Sequence, residues 1–262
     1  MKVDVNGLSF GYDELLFDNI SFTIKPNKIT TIIGKNGVGK TTLVKTLVGL
    51  NNYSGSIRYD DILFDNDSKN SIINDISILF IDYKNVIINK NIYDDILFEL
   101  EKKEFDEDKY EEIINKVSSE LGLEYLVHKN YDELSDSDLS LACLLIMLVG
   151  SPKLLIIDNA LNNSLYDKKA KIFEYLKKKK ITVINISNNV EDILLSDSLI
   201  ILNNKKCICS NNIKKLLEKE SVFSECNFKL PFMADLSNKL KFYNLIDDII
   251  LDKEVLVDSI WK

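Results

Sequence analysis

Residues 34–41 of the chain read Gly34-Lys35-Asn36-Gly37-Val38-Gly39-Lys40-Thr41. This stretch fits the phosphate-loop pattern G-x-x-x-x-G-K-[ST] at each fixed position. Glycines let such a loop turn so that its backbone N–H groups point inward at phosphate oxygens. The lysine is expected to reach the β- and γ-phosphates, and the threonine hydroxyl is expected to bind Mg²⁺. The stretch therefore predicts a nucleotide-binding site.

The segments on either side of this loop support the same interpretation. Residues 29–33 form an apolar, strand-like run that leads directly into Gly34, and residues 41–50 carry leucines at helical spacing. A helix that begins near Lys40 would add its N-terminal dipole, which favours an anion. We therefore predict nucleotide binding by the loop and the first helical turn, through Gly34, Asn36, Gly37, Gly39, Lys40, Thr41 and Thr42.

A second element of the same site is predicted at Asp158, which ends the fully apolar run of residues 154–157. A carboxylate at the end of a buried strand beside a phosphate loop can hold Mg²⁺. Aspartates also end strands in ordinary loops, so the evidence lies in the pairing of this residue with the phosphate loop. We predict Thr41 and Asp158 as the magnesium-binding side chains.

Short apolar runs alternate with helical periods along the chain, which is typical of βα units and a mostly parallel sheet. Beyond about Asn211 the pattern becomes helical and less regular. We therefore predict one domain over residues 1–210 and an appended segment over residues 211–262. Strands are predicted at residues 29–33, 56–65, 72–82, 154–157, 181–186 and 199–202. The main helical stretches are predicted at residues 41–50, 93–121 and 139–149.

Composition excludes several classes of protein. The formal net charge of −8 argues against a nucleic-acid partner, because such proteins carry a basic surface. The longest nearly apolar run, residues 139–149, is about half of the ~20 residues that span a bilayer, so it predicts a buried helix. The N-terminus lacks the apolar stretch of a signal peptide, and four cysteines without framework spacing suit a reducing cytosol. Cys207 and Cys209 are interpreted as alternation along a strand rather than as a metal pair.

With these motifs in place, the chain resembles the ATP-binding subunits of ABC transporters along nearly its full length. Residues 8–12 resemble the opening strand of that family, in which an aromatic residue stacks on adenine, and Tyr12 matches that residue. Residues 17–24 follow the family pattern that leads to the phosphate loop, and Leu134-Ser135 stands where the LSGGQ signature begins. Residues 230–257 are similar to the C-terminal extension of energy-coupling-factor ATPases. The resemblance implies a phosphate-loop core with a small antiparallel β subdomain and a helical subdomain at about residues 88–150.

The chain departs from the family at the signature, where Ser135, Asp136 and Ser137 begin the sequence SDSD instead of SGGQ. In the family this loop crosses a dimer interface and embraces the γ-phosphate bound by the partner. Two aspartates place like charge against phosphate, which costs on the order of 1–4 kcal/mol for charges about 4 Å apart. The alternative, which we favour, is that Ser135 and Asp136 cap the apolar helix that begins near Leu139.

The hydrolytic positions of the family also differ. Asn159 stands where a catalytic glutamate follows the Walker B aspartate, and an amide cannot accept a proton from water. General-base catalysis contributes about 10²–10⁴-fold, so hydrolysis at this site is expected to be weak. Asn188 occupies the switch-histidine position, and Ile81 stands where the family has a glutamine. Residues 162–165 lack the usual Leu-Asp, and the single histidine, His128, lies in the helical region.

The resemblance implies an ATP-binding subunit with ATP and Mg²⁺ as cofactors, peripheral to the cytoplasmic face of the cell membrane. Expected partners are a transmembrane transporter subunit and a second, competent ATPase subunit in a heterodimer. A pseudo-ATPase that uses ATP as a regulatory or structural ligand is the main alternative. A soluble ABC protein acting on ribosomes or DNA is disfavoured by the acidic charge. A phosphotransferase of another phosphate-loop family is disfavoured because no acceptor base stands at an interpretable position.

Overall fold

The computed structural model of the chain describes residues 1–82 and 86–260. Trp261 and Lys262, the last two residues of the predicted appended segment, lie outside the described residues. The strands within the described part are β1 Val3–Gly11, β2 Leu15–Ile24, β3 Ile29–Gly34, β4 Ser54–Tyr59, β5 Ile62–Leu63, β6 Ile76–Phe80, β7 Leu154–Asp158, β8 Thr182–Ile186, β9 Ser198–Asn203 and β10 Lys206–Ser210. The α-helices are α1 Lys40–Leu47, α2 Lys69–Ile73, α3 Ile92–Lys102, α4 Tyr110–Leu121, α5 Asp136–Val149, α6 Tyr166–Lys178, α7 Ile213–Leu217, α8 Glu220–Glu225, α9 Phe232–Phe242 and α10 Lys253–Ile260.

The central sheet has the strand order β10-β9-β3-β8-β7-β6. From β9 to β6 each neighbouring pair is parallel, whereas β10 runs antiparallel to β9. Every residue of β3, β7 and β8 is buried, as expected for strands covered on both faces. The prediction of a mostly parallel sheet is therefore confirmed. Because β3, β7 and β8 are adjacent and parallel, their carboxyl ends meet at one edge of the sheet.

A smaller antiparallel sheet has the order β2-β1-β4-β5. It packs on α1, and the fully buried Tyr59 of β4 connects the two, since its hydroxyl donates a 2.6 Å hydrogen bond to the carbonyl oxygen of Leu47. Burial raises the pKa of Tyr59 far above its ordinary value. Helices α3 to α5 form the helical part of the chain, and α7 to α10 are the helices at its C-terminal end.

Among the described residues, three hydrophobic clusters hold these parts together, and strand alternation decides which face of the sheet each strand residue joins. The first cluster joins α3 to α6 with one face of the sheet, and the second joins the small sheet and α1 with the other face. The third packs the C-terminal helices on β3 and β9. Strand β3 supplies a residue to each cluster: Ile29 to the first, Ile32 to the second and Ile33 to the third.

Two strand predictions and one helix boundary were wrong. Residues 56–65 are two strands rather than one, because Asp60 and Asp61 adopt positive φ angles of 46° and 70° and form a tight turn. Residues 72 and 73 end α2, and β6 begins only at Ile76, so the apolar run of residues 72–82 contains a helix-to-strand boundary. Helix α1 ends at Leu47, because Gly49 takes a φ of 70°.

Candidate functional site

A cavity of about 240 Å³ lies at the carboxyl edge of the sheet. Three strand ends build it. The loop after β3 and the first turn of α1 supply one wall, and the residues that follow β7 and β8 supply the facing positions. The lining residues are Leu16, Asn36, Gly37, Gly39, Lys40, Thr41, Thr42, Asn159 and Asn188. The structure thus brings most of the predicted phosphate-loop residues together with Asn159 and Asn188, the two asparagines predicted from the sequence to stand in hydrolytic positions.

Two glycines of the loop have conformations that other residues rarely adopt. Gly37 and Gly39 have φ angles of 82° and 99°, and Gly39 is the residue that precedes α1. A Cβ atom on Gly39 would lie only 2.9 Å from Cζ of Phe17, which packs beneath the loop. Gly34 does not line the cavity. It lets β9 approach β3, because a Cβ there would lie 2.9 Å from the carbonyl oxygen of Leu202.

The Lys40 side chain is held inside the loop. Its Nζ atom donates hydrogen bonds to the carbonyl oxygens of Gly34 at 2.5 Å and Lys35 at 3.1 Å. Burial lowers the pKa of Lys40, and the nearby negative charge of Asp158 partly opposes that effect. An ammonium group has three protons, so this geometry presents one donor to a ligand in the cavity. A phosphate group would supply the anionic partner that the buried ammonium lacks within the loop.

Asp158 and Asn159 meet at the end of β7. Asp158 is 2% exposed and its Oδ1 atom accepts a 2.9 Å hydrogen bond from Nδ2 of Asn159. Asn159 has a φ of 57°, a left-handed conformation that asparagine tolerates better than most residues. Its Oδ1 atom accepts a 3.1 Å hydrogen bond from Nδ2 of Asn162. Both ends of the Asn159 amide are therefore engaged by neighbouring side chains. The contact with Asn162 was missed at the sequence level, where nothing distinguishes this residue from other loop asparagines.

The loop that carries Asn188 is fixed from both sides. Asn188 itself is exposed and lines the cavity. The Ser187 hydroxyl donates a 2.6 Å hydrogen bond to Asp192, and the Asn189 backbone N–H donates to Ser187 Oγ at 3.0 Å. Asp192 in turn is paired with Lys169 of α6 in the interior. Lys169 was not predicted from the sequence, although its helical spacing with the buried residues Ile172, Phe173 and Leu176 could have indicated that it is buried.

The signature positions lie away from this cavity, at the start of α5. Ser135 precedes the helix, and its Oγ accepts a 3.2 Å hydrogen bond from the Asp138 backbone N–H. The capping prediction is confirmed for Ser135. The prediction was wrong for Asp136, which is not a capping residue but the first residue of the helix, because the helix begins three residues before Leu139. An acidic residue in a first turn suits the helix dipole. Ser135, Asp136 and Ser137 do not line the cavity.

Other predicted residues also stand outside the cavity. Tyr12 follows β1, is 68% exposed, and packs edge-on against Phe10 with ring centroids 5.0 Å apart. Ile81 is exposed just after β6. His128 lies in a turn of the helical region beside the ring of Tyr93. Within residues 1–82 and 86–260, no group of three or more His, Cys, Asp or Glu side chains could hold a metal alone.

Comparison with known proteins decides the family. The family described as ABC transporter matches residues 17–162, more than half of the chain. The chain belongs to the ABC transporter family. The predicted resemblance and the predicted phosphate-loop α/β fold are thus confirmed. Among curated members, the energy-coupling factor transporter ATP-binding protein EcfA of Pediococcus pentosaceus is 30% identical over 249 residues, covering 91% of this chain and 88% of its own length. EcfA1 of Ureaplasma parvum is 28% identical, covering 100% and 92% respectively.

Solved structures of the family show the same fold. The structure of cbiO1 from Clostridium perfringens, described as part of the ABC transporter complex cbiONQ, has a TM-score of 0.75 and 25% identity. That likeness covers 89% of this chain and 97% of cbiO1. A bacterial Atm1-family ABC exporter with ATP bound also has a TM-score of 0.75, at 18% identity, and covers 86% of this chain and 41% of the exporter. In the described part of this ABC chain, no helix is both long and apolar enough to cross a membrane.

Proposed function

We propose that this chain is the ATP-binding subunit of an energy-coupling-factor-type uptake transporter and that it hydrolyses ATP weakly or not at all at its own site. One observation carries the proposal: the cavity joins most of the phosphate loop, including Lys40 and Thr41, to Asn159 and Asn188. A site of this composition can hold a nucleotide but lacks the side chains that would activate water. The relatives and cbiO1 support the transporter assignment through their descriptions.

Binding of Mg-ATP rests on the residues around the loop. The backbone at Gly37 and Gly39 turns with positive φ angles, and the buried ammonium of Lys40 lacks an anionic partner within the loop. The Thr41 hydroxyl and the Asp158 carboxylate are the oxygen donors that Mg²⁺ prefers, together with phosphate oxygens. When bound, the magnesium ion would neutralise phosphate charge. Tyr12 is proposed to stack on adenine from the exposed turn after β1.

Weak hydrolysis follows from the state of the Asn159 amide. A general base must accept a proton from the attacking water, and neither atom of an amide does so at neutral pH. In addition, the Asn159 oxygen already accepts from Asn162, and its nitrogen already donates to Asp158. The side chain is thereby directed toward its own loop. Asn188 offers no imidazole in the facing position, so the site has no titratable group in either hydrolytic position.

A second ATPase subunit is proposed as the partner in a heterodimer. The first turn of α5 presents an exposed Asp136, whereas the neighbouring Asp138 accepts hydrogen bonds from Tyr125 and Ser135. A partner with a complete catalytic set would supply the turnover that this site lacks. The negative charge at the predicted signature position of this chain would weaken nucleotide binding at the partner's site.

A transmembrane subunit is proposed as the other partner, with this chain on the cytoplasmic face of the membrane. A groove of about 300 Å³ runs between β6 and α3. Its rim carries Ile88 and Phe98, which are 62% and 44% exposed. Ile81, which comes shortly before Ile88 in the sequence, is also 62% exposed. Exposed apolar side chains beside a groove are typical of surfaces that bind a partner segment. The partner proposed here is a helical segment of the membrane subunit.

The test is nucleotide binding and turnover with purified protein. We expect the chain alone to bind Mg-ATP in equilibrium titrations. Its rate of phosphate release should be lower by about 10²-fold or more than that of the assembled complex, which is purified through an affinity tag on this chain. Lys40→Ala should abolish binding, whereas Lys45→Ala in the same helix is a matched control that leaves it intact. Rapid turnover by the chain alone would contradict the proposal.

The pseudo-ATPase alternative is favoured by the Asn159 amide, which is hydrogen-bonded at both ends, and one experiment distinguishes the two proposals. In the assembled transporter, Lys40→Ala should reduce solute uptake if ATP bound to this chain contributes to the transport cycle. Unchanged uptake, with the complex still assembled, would instead assign the chain a structural or regulatory role. The partner's equivalent phosphate-loop substitution serves as the positive control for loss of transport.

A further inference from the structure

Cys207 and Cys209 form a close thiol pair on β10, the edge strand of the central sheet. The two residues are two positions apart and therefore share one face of the strand. Their Sγ atoms are 3.6 Å apart. Cys209 is exposed and Cys207 is half-buried, whereas the other two cysteines, Cys143 and Cys226, are buried. Neither cysteine of the pair contributes to the nucleotide cavity.

The two thiols differ in chemistry. The Cys209 thiol donates its hydrogen bond to the sulfur of Cys207, which lowers the pKa of Cys207 to about 7. The same hydrogen bond and burial raise the pKa of Cys209. Cys207 therefore ionises more readily than an ordinary cysteine, and Cys209 holds its proton more tightly beside it. A partly exposed cysteine of lowered pKa next to a second cysteine is the arrangement of reversible thiol sensors.

A metal site fits the pair less well. Soft metals in closed sites take three or four ligands, and the part of the chain that the structure describes brings no third His, Cys, Asp or Glu to these sulfurs. A disulfide needs only the two sulfurs. Its bond length is about 2.0 Å, so side-chain rotation must close about 1.5 Å of the present separation.

We propose that Cys207 and Cys209 are a peroxide-sensitive pair that closes reversibly into an intrachain disulfide. The Cys207 thiolate attacks one oxygen of hydrogen peroxide, the O–O bond breaks, and hydroxide leaves, so that the sulfur becomes a sulfenic acid. The Cys209 sulfur then attacks the Cys207 sulfur, the S–O bond breaks, and water leaves with the Cys209 proton. The peroxide is reduced by two electrons, and a dithiol reductant restores both thiols.

Peptide mass mapping of the full chain tests the proposal. Trypsin cleavage after Lys206 and Lys214 releases one peptide that contains both cysteines of the pair and no other. After treatment with stoichiometric hydrogen peroxide and alkylation, we expect this peptide unalkylated and about 2 Da lighter than its reduced form. Dithiothreitol should reverse the change. The proposal would be overturned if each sulfur were oxidised without a bond forming between them, if disulfide-linked dimers formed, or if the peptide did not react at all.

Single variants assign the two roles. Cys209→Ser should stop at the sulfenic acid on Cys207, where dimedone traps it, because the resolving thiol is absent. Cys207→Ser should slow the reaction with peroxide about tenfold or more, since the remaining thiol is protonated at neutral pH. Cys226→Ser is the matched control and should react as the unmodified chain does. Dimedone labelling of Cys209 in the unmodified chain, or equal rates for Cys207→Ser and the control, would contradict the assignment.

Discussion

Lys169 Nζ lies 2.8 and 2.9 Å from the two carboxylate oxygens of Asp192, and both side chains are almost completely buried. The pair joins α6, which follows the loop of Asn159 and Asn162, to the segment that follows Asn188. Ser187 adds a hydrogen bond to the same carboxylate. One buried ion pair therefore fixes the two cavity-facing loops relative to each other.

Loss of one partner of this pair should be costly. Lys169→Met leaves a buried carboxylate with only a serine donor, and we expect the free energy of unfolding to fall by about 3–5 kcal/mol in urea titrations. The double variant Lys169→Met with Asp192→Leu should lose less, since no unpaired charge remains. Lys239→Met, which breaks the exposed pair with Asp235, is the control and should cost about 0–1 kcal/mol. A single-variant effect as small as the control's would show that the buried pair does not stabilise the fold.

The two positive-φ glycines of the phosphate loop should respond differently to alanine. Gly39→Ala places a Cβ 2.9 Å from the Phe17 ring and also strains a φ of 99°, whereas the same change at Gly37 meets open space and strains only the backbone. We expect Gly37→Ala to cost about 1 kcal/mol of stability and Gly39→Ala about 1–3 kcal/mol more. Thermal unfolding measures both. Phe17→Leu added to Gly39→Ala should recover part of the difference, and no recovery would contradict the steric explanation.

Asp95 and Tyr131 connect the groove to the segment before α5. The buried Asp95 carboxylate accepts from the backbone N–H groups of Ile88 and Asn89 at 3.2 and 2.9 Å and from the Tyr131 hydroxyl at 2.6 Å. Burial and this hydrogen bond raise the pKa of Tyr131. Tyr131→Phe should cost about 1.5–3 kcal/mol, the value of one hydrogen bond to a charged group.

Hydrogen exchange separates the two contacts of that carboxylate. Asp95→Ala should accelerate amide exchange at Ile88 and Asn89, whereas Tyr131→Phe should leave those two amides protected. Tyr110→Phe, on a neighbouring helix, is a suitable control for loss of a hydroxyl group. Equal exchange at residues 88 and 89 in both Asp95→Ala and the unmodified chain would show that the carboxylate does not hold this segment.

Alkaline pH should destabilise the chain partly through Tyr59. Burial raises the folded-state pKa of Tyr59 above the ordinary value of 10.0, so the native state keeps this proton while the unfolded state releases it. The stabilising contribution is complete below pH 10 and falls as the pH rises beyond it, by about 1.4 kcal/mol per pH unit. Tyr59→Phe should cost about 1 kcal/mol at pH 7, because the Leu47 carbonyl loses its donor. Above pH 10 its stability should fall less steeply, as urea titrations at several pH values would show; parallel profiles would contradict the assignment.

Local patterns allowed the phosphate loop, the strand that ends at Asp158 and the cap at Ser135 to be predicted from sequence, because each depends on residues close together in the chain. The turn at Asp60 and Asp61 was not predicted, because two aspartates inside an apolar run do not by themselves produce a hydrophobic periodicity that marks a turn. Contacts between distant segments could not be inferred. The pairing of Lys169 with Asp192 depends on how α6 packs beside the sheet. The engagement of Asn159 by Asn162 depends on the exact path of a short loop.

Strand β3 supplies Ile29, Ile32 and Ile33 to three different hydrophobic clusters and ends at Gly34. Loosening of any of these three clusters would therefore remove support from the strand that presents the phosphate loop. Opening of the C-terminal helices alone would expose Ile33, one residue before the loop begins. We therefore expect the nucleotide affinity of this chain to fall when packing is lost in any of these clusters, including those far from the ligand.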